Sequence, residues 1–328
     1  MIHSLSRRQA ILALGCTAVA AAAPAAFAAD TFPAKPIHIV VGYSAGGAVD
    51  AVARTVGQVL SASLGQPVIV DNKPGAGTNI AVKAVVDAPA DGYTLLMAAN
   101  ALSANPSLYQ PSPFDPEKQL VPVSLIGRVP VVIAANPSAP YTSVAKLVEA
   151  AKAKPGFVQY ATPGNGSTPH MAMELFAHTA GIQLQHVPYR GGAPAITDVI
   201  GGQVPLVAVN ALEVQPHAKA GKLKVVATLG AARTPIFPDA PTVAESGFPG
   251  FEASVWYGLV APAGTPPAVL ERLHAEVQKA LQSPTVRERM VAVGGEVLPG
   301  TAQSFGQLIH NDRVRYEKLV HEAHIKPD

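Results

Sequence analysis

The stretch Ile37 to Arg54, IHIVVGYSAGGAVDAVAR, constrains the fold more than any other part of the chain. Ile37 to Val41 predict a buried strand and Gly42 to Gly47 a glycine-rich turn, while Val49, Val52, Ala53 and Val56 recur with the period of a helix opening at Ala48. A strand that turns tightly into a helix leaves unpaired N–H groups, and roughly half a positive charge, at the end of the turn. Glycines at that point let a ligand oxygen approach the backbone. The expectation is an α/β protein with an anion site at the strand's carboxyl end.

The same device recurs. Val68 to Val70, the loop Lys73 to Thr78 and Asn79 to Val86 repeat strand, glycine-rich loop and helix, and Thr94 to Ala98 runs into a small polar loop, Ala99 to Ser103. Leu120 to Ala135 is nearly all apolar but broken by Pro122, Gly127 and Pro130, which predicts two extended segments with a bend, crossing into a second domain. There the alternation restarts. Thr162 to His170 is a loop whose Thr168-Pro169 pair predicts a helix cap, Tyr189-Arg190-Gly191-Gly192 opens a further helix, and another is expected near Glu213 to Ala220 after strand Leu206 to Val209. Ala253 to Ala261, around Trp256 and Tyr257, reads as a return crossing. Thr265-Pro266, Ser283-Pro284 and Thr301 then announce the C-terminal helices, expected to pack back on the first domain. The domains so delimited are Thr31 to Gly127 with Glu252 to Asp328, and Arg128 to Phe251.

Residues Met1 to Ala28 combine Arg7 and Arg8, an apolar run and an Ala26-Phe27-Ala28 cleavage site, the pattern of an export signal to the periplasm. Without it the 24 basic residues become 22 against 22 acids, a balance that argues against nucleic acid as partner. Cys16, the sole cysteine, leaves with the signal, which removes disulfides and thiolate metal ligands. His321 and His324 are spaced three apart rather than the four of a zinc-protease helix, and Gly75-Ala76-Gly77-Thr78-Asn79-Ile80 lacks the third glycine of a dinucleotide fingerprint. No metal or cofactor is expected.

These motifs, taken together and in order, carry a resemblance. Val41 to Asp50, Asn72 to Gly77, Gly164 to His170, Pro188 to Ala195, Pro238 to Thr242 and Trp256-Tyr257-Gly258 are similar to the successive motifs of the Bug family, the periplasmic solute receptors of tripartite tricarboxylate transporters. The resemblance covers essentially the whole mature chain. It implies a two-domain periplasmic-binding-protein type II fold, each domain a mainly parallel sheet flanked by helices, joined by two hinge crossings. It also implies a monomer that holds a small carboxylate between the domains and delivers it to membrane transporter subunits. With the loops read above, the candidate ligand contacts are Tyr43, Ser44, Gly46, Gly47 and Ala48, then Gly75, Gly77 and Thr78, then Asn100, Ser103 and Thr162, then Gly166, Ser167 and Thr168, with Arg190 and Asn210 toward the far end. A di- or tricarboxylate, an acidic amino acid or an aromatic acid fits this donor-rich set.

A competing reading starts from the first loop itself, because Gly42-Tyr43-Ser44-Ala45-Gly46 matches the G-x-S-x-G elbow of a secreted serine hydrolase. That elbow needs an earlier strand and loop to supply its second oxyanion donor, yet about eight residues separate Ala28 from Ile37. The receptor reading is therefore favoured, with no catalytic residue. A fluorophosphonate probe should leave Ser44 unlabelled above background, and Ser44-dependent labelling would overturn that reading.

Overall fold

The computed structural model describes residues 32–292 and 294–327, so the expected export signal and its cleavage site lie outside the described residues. Strand Ile37–Val41 (β1) pairs in parallel with Val68–Asn72 (β2) and Thr94–Ala98 (β3). Helix Ala48–Leu64 (α1) connects the first two, burying Val49, Val52, Ala53, Val56 and Leu60 on one face and ending at Gly65 with φ +67°. A left-handed residue closes a helix end at least cost when it is glycine. Helix Asn79–Val86 (α2), preceded by a 3-10 turn at Ala76–Thr78, connects the next pair.

Two elements differ from expectation. The polar residues after β3 form a helix, Ala101–Leu108 (α3), despite Asn105 and Pro106. Such residues disfavour helix locally, but Ser103 donates to the Ile309 carbonyl at 3.1 Å and Asn105 to the Gly77 carbonyl at 2.7 Å, so tertiary bonds hold the segment. After the short helix Pro116–Gln119 (α4), Leu120–Ala135 (β4) is one continuous strand rather than two with a bend. Its proline and glycine are absorbed as slips in register, at Pro122/Ser124 and Leu125/Gly127, along the ladder with Ser254–Pro262 (β9).

The remaining elements complete one mixed sheet. Helices Val144–Ala153 (α5), Thr168–Ala180 (α6), Gly192–Ile200 (α7) and Ala211–Lys219 (α8) alternate with strands Gln159–Thr162 (β5), Gln185–Pro188 (β6), Leu206–Asn210 (β7) and Lys224–Thr228 (β8). Pro267–Gln282 (α9), Pro284–Ala292 (α10), the two-residue strand Glu296–Val297 (β10) and Ala302–Glu322 (α11) follow β9. The strand order is β2-β1-β3-β9-β4-β7-β5-β6, with β8 and β10 also on β4. The outer strands are parallel, and those around β4 and β9 are antiparallel. The α/β expectation of a helix-flanked sheet therefore holds, but the sheet is mixed rather than mainly parallel, because the two expected crossings are central strands paired antiparallel with each other and with their neighbours. Helices α9 and α10 pack against α1, and α11 against α3.

One buried side chain ties distant parts together. Asn100, 1% exposed, donates from Nδ2 to Asp312 at 3.0 Å and to the Tyr316 hydroxyl at 3.2 Å; its Oδ1 accepts the Trp256 amide and the Thr168 hydroxyl, both at 3.0 Å. The Trp256 indole also donates to Asp312, at 2.7 Å, and packs edge-on against Phe305. Asn100→Ala strands several buried polar groups at once, each costing ~1–3 kcal/mol. Urea unfolding should show a loss of about 3 kcal/mol, and a loss below 1 kcal/mol would remove this residue from the framework.

Candidate functional site

The loop before α1 spends part of its donor capacity on the protein itself. Asp50, buried in the first turn of α1, accepts the Gly46 N–H at 3.0 Å and also bonds Arg54 and Asn72. Burial works against its charge, but the bonds from Arg54, Gly46 and Asn72 prevail and hold its carboxyl below the usual range. Asn72 also donates to the Tyr43 carbonyl at 3.0 Å, so the second motif fixes the first. The Ser44 hydroxyl donates to the Arg190 carbonyl at 2.6 Å, which joins the β1 loop to the loop before α7.

Helix α6 opens one residue earlier than its sequence suggests. Ser167, rather than Thr168, is the N-cap and accepts the His170 N–H at 3.4 Å; Thr168 is thereby released to bond Asn100. His170 is 2% exposed, stacks on His186 with centroids 3.9 Å apart, and accepts the Gly166 N–H on Nδ1 at 3.2 Å. Burial, reinforced by His186, lowers its pKa well below the ordinary histidine value, so it is the neutral ring that supports the Gly166 loop. Thr162 serves the same support, bonding His186 at 2.6 Å and accepting the Gly164 N–H.

Two neighbouring hollows lie among these loops, with Tyr43 and Pro163 lining both. The inner one, about 30 Å³, is walled by Tyr43, Ser44, Gly47, Ala48, Thr168 and Asn210 among the expected contacts, and by Gly192, Glu213 and Tyr257. The outer one, about 550 Å³, is walled by Gly75, Gly77, Thr78, Ser167 and Arg190 among the expected contacts, and by Tyr109 and Asn165. Gly46, Asn100, Ser103, Thr162 and Gly166 line neither, and most of them bond to the framework as described. A larger groove, about 850 Å³, runs beside α11, but none of the glycine loops reaches it.

Glu213 and Tyr257 were not among the expected contacts. Glu213 sits in the first turn of α8, and its carboxylate accepts bonds from the Asn210 side chain at 3.1 Å, the Asn210 backbone and the Ala48 N–H at the start of α1. Asn210-Ala211-Leu212-Glu213 has the spacing of a capping box, a signal readable from sequence; the contact to Ala48, 165 positions away, is not. Gly192, the first residue of α7, lies so close that any side chain there would collide with the Glu213 carboxyl. Three helix N-termini thus meet around one enclosed carboxyl. Burial pushes its pKa up to about 6, against the lowering effect of those bonds. The Tyr43 and Tyr257 phenols that face it are pushed upward too, chiefly by burial and then by Glu213, so both are neutral.

The family model described as tripartite tricarboxylate transporter family receptor matches residues 52–325. The chain belongs to that family. Protein BugT of Bordetella pertussis is 36% identical over 325 residues, covering 98% of this chain and 99% of BugT. The solved periplasmic binding protein BugD is 32% identical with a TM-score of 0.85, covering 90% of this chain and all of that one. A Rhodopseudomonas palustris protein solved with adipate is 34% identical, also with a TM-score of 0.85 and the same coverage. This receptor-family chain has the periplasmic-binding-protein fold.

The raised pKa of Glu213 gives a signed expectation. A carboxyl whose folded pKa lies above its unfolded value near 4.5 carries no penalty below pH 4.5 and a growing one as pH rises through 6. Glu213→Gln should therefore raise the unfolding free energy by about 1–2 kcal/mol above pH 6.5 and leave it unchanged below pH 4.5. Denaturant titrations at both pH values check this; a loss of stability at pH 7 would show that the ionised carboxylate is a net stabiliser.

Proposed function

We propose that the protein is an extracytoplasmic solute receptor that binds a small carboxylate at the glycine-loop cleft and hands it to a tripartite tricarboxylate-type transporter. The observation that carries this reading is the convergence of the α1, α6, α7 and α8 N-termini, with their positive dipole ends, on the paired hollows. Such ends balance a carboxylate with up to ~2 kcal/mol each where partly buried. The adipate held by the R. palustris relative supports the ligand class, and the periplasmic description of BugD supports placement in the periplasm.

In this reading the two parts of the sheet move about the paired central strands β4 and β9, with Thr31 to Gly127 and Glu252 to Asp328 on one side and Arg128 to Phe251 on the other. An inner hollow of about 30 Å³ takes only a water or two, so a ligand enters when the loops part and the hollows merge. The protein acts as a monomer and carries out no catalysis: the Ser44 hydroxyl is spent on the Arg190 carbonyl, whereas a serine nucleophile needs a base to take its proton.

Thermal-shift screening of di- and tricarboxylates, acidic amino acids and aromatic acids tests the proposal. A ligand at a hundredfold excess over its dissociation constant should stabilise the fold by ~2.7 kcal/mol. The acid giving the largest shift should also reduce the radius of gyration in solution scattering. A response to sugars, cations or nucleotides with none to any carboxylate would overturn the reading, and an unchanged radius at saturation would remove the closure.

A further inference from the structure

The inner hollow is not built like an empty carboxylate site. Its convergent helix ends already hold a carboxylate of the protein: Glu213, bonded to the Ala48 N–H and to both the side chain and backbone of Asn210. No lysine, arginine or histidine lines this hollow among the described residues. A ligand carboxylate placed there would face Glu213 with no cation between them, and two close carboxylates in a dry site disfavour each other's charge. The positive end of the cleft is elsewhere, in the outer hollow, where Arg190 lies beside the turn at Gly77–Thr78 and the Ser167 cap.

One further atom marks what the inner hollow lacks. Asn210 Oδ1 belongs to a residue only 5% exposed that lines the hollow, and it accepts no hydrogen bond, whereas the Tyr257 hydroxyl pairs with the Asn210 side chain. A buried acceptor left unpaired costs ~1–3 kcal/mol, so a framework that keeps Asn210 Oδ1 beside a carboxylate is prepared for a donor. A protonated amine has three donors and one positive charge. It can bond Glu213 and Asn210 Oδ1 together and neutralise the buried charge.

Resting on the receptor reading above, we propose that the ligand is an amino-carboxylate, its ammonium group held by Glu213 and Asn210 in the inner hollow and its carboxylate directed to the Arg190 and Ser167 side of the cleft. Glu213 is then the specificity determinant of this receptor. It selects zwitterionic amino acids and rejects di- and tricarboxylates of equal length. Tyr43, which lines both hollows, separates the two ends.

Calorimetric titration at pH 7.5 with matched pairs tests this: aspartate against succinate, glutamate against glutarate, and alanine against propionate. For at least one pair the amino acid should bind tenfold or more tightly than its amine-free partner. Glu213→Gln should cost that amino acid tenfold or more in affinity and leave the amine-free acid unchanged or better bound, and Glu213→Asp, which keeps the charge, should recover part of the loss. If acids of these pairs bind but in no pair does the amino acid exceed its amine-free partner tenfold, the amine assignment is overturned and the carboxylate receptor stands. Failure of every carboxylate, with or without an amine, would overturn both. Should either variant fold poorly, the wild-type pairs alone decide the matter.

Discussion

A helix that begins inside a protein leaves N–H groups that must find acceptors, and here several helices begin in the same small volume. The fold answers part of this need with its own side chains. Asp50 takes the Gly46 amide, Ser167 caps α6, His170 takes the Gly166 amide, and Glu213 takes the Ala48 amide. The loops are therefore bound to each other before any ligand arrives. The α1 and α8 ends even share one carboxyl, so the two sides of the cleft are joined by a bond that ligand binding has to exchange or extend.

The scaffold beneath these loops depends on polar contacts over long sequence distances. Asn100 follows β3, Thr168 opens α6, Trp256 lies in β9 and Asp312 in α11, yet all four are joined through one amide. Around it Val40, Leu96, Leu102, Phe305 and Ile309 form an apolar cluster. A buried polar network that is fully paired is rigid, because every alternative arrangement leaves a donor or acceptor without a partner. This rigidity lets Thr168 sit at the rim of the inner hollow while also belonging to the framework.

Site residues divide in the same way. Gly47, Ala48, Thr168 and Asn210 line the inner hollow and were legible as glycine-turn, cap and strand-end positions. Asn100 and Ser103 looked equally suitable, being small polar residues at a strand end, but their partners lie in α11 and β9, far along the chain. Glu213 was overlooked as a contact for the opposite reason. A glutamate in a first helical turn is an ordinary charge on a helix, and only the approach of Ala48 and Gly192 makes it the floor of a cleft.

What the sequence determined by itself is the local alphabet: strand, glycine turn and helix in alternating order, with the helix starts signalled within a residue or two by Ser, Thr and Pro. These signals act over three or four residues, where backbone geometry and capping bonds suffice. Tertiary structure decided the rest. It made β4 a single strand by giving its proline and glycine slips a partner in β9, and folded residues 101–108 into a helix against α11. It also placed a protein carboxylate where an anion was expected to bind, because burial and charge balance depend on neighbours brought together from more than a hundred positions away.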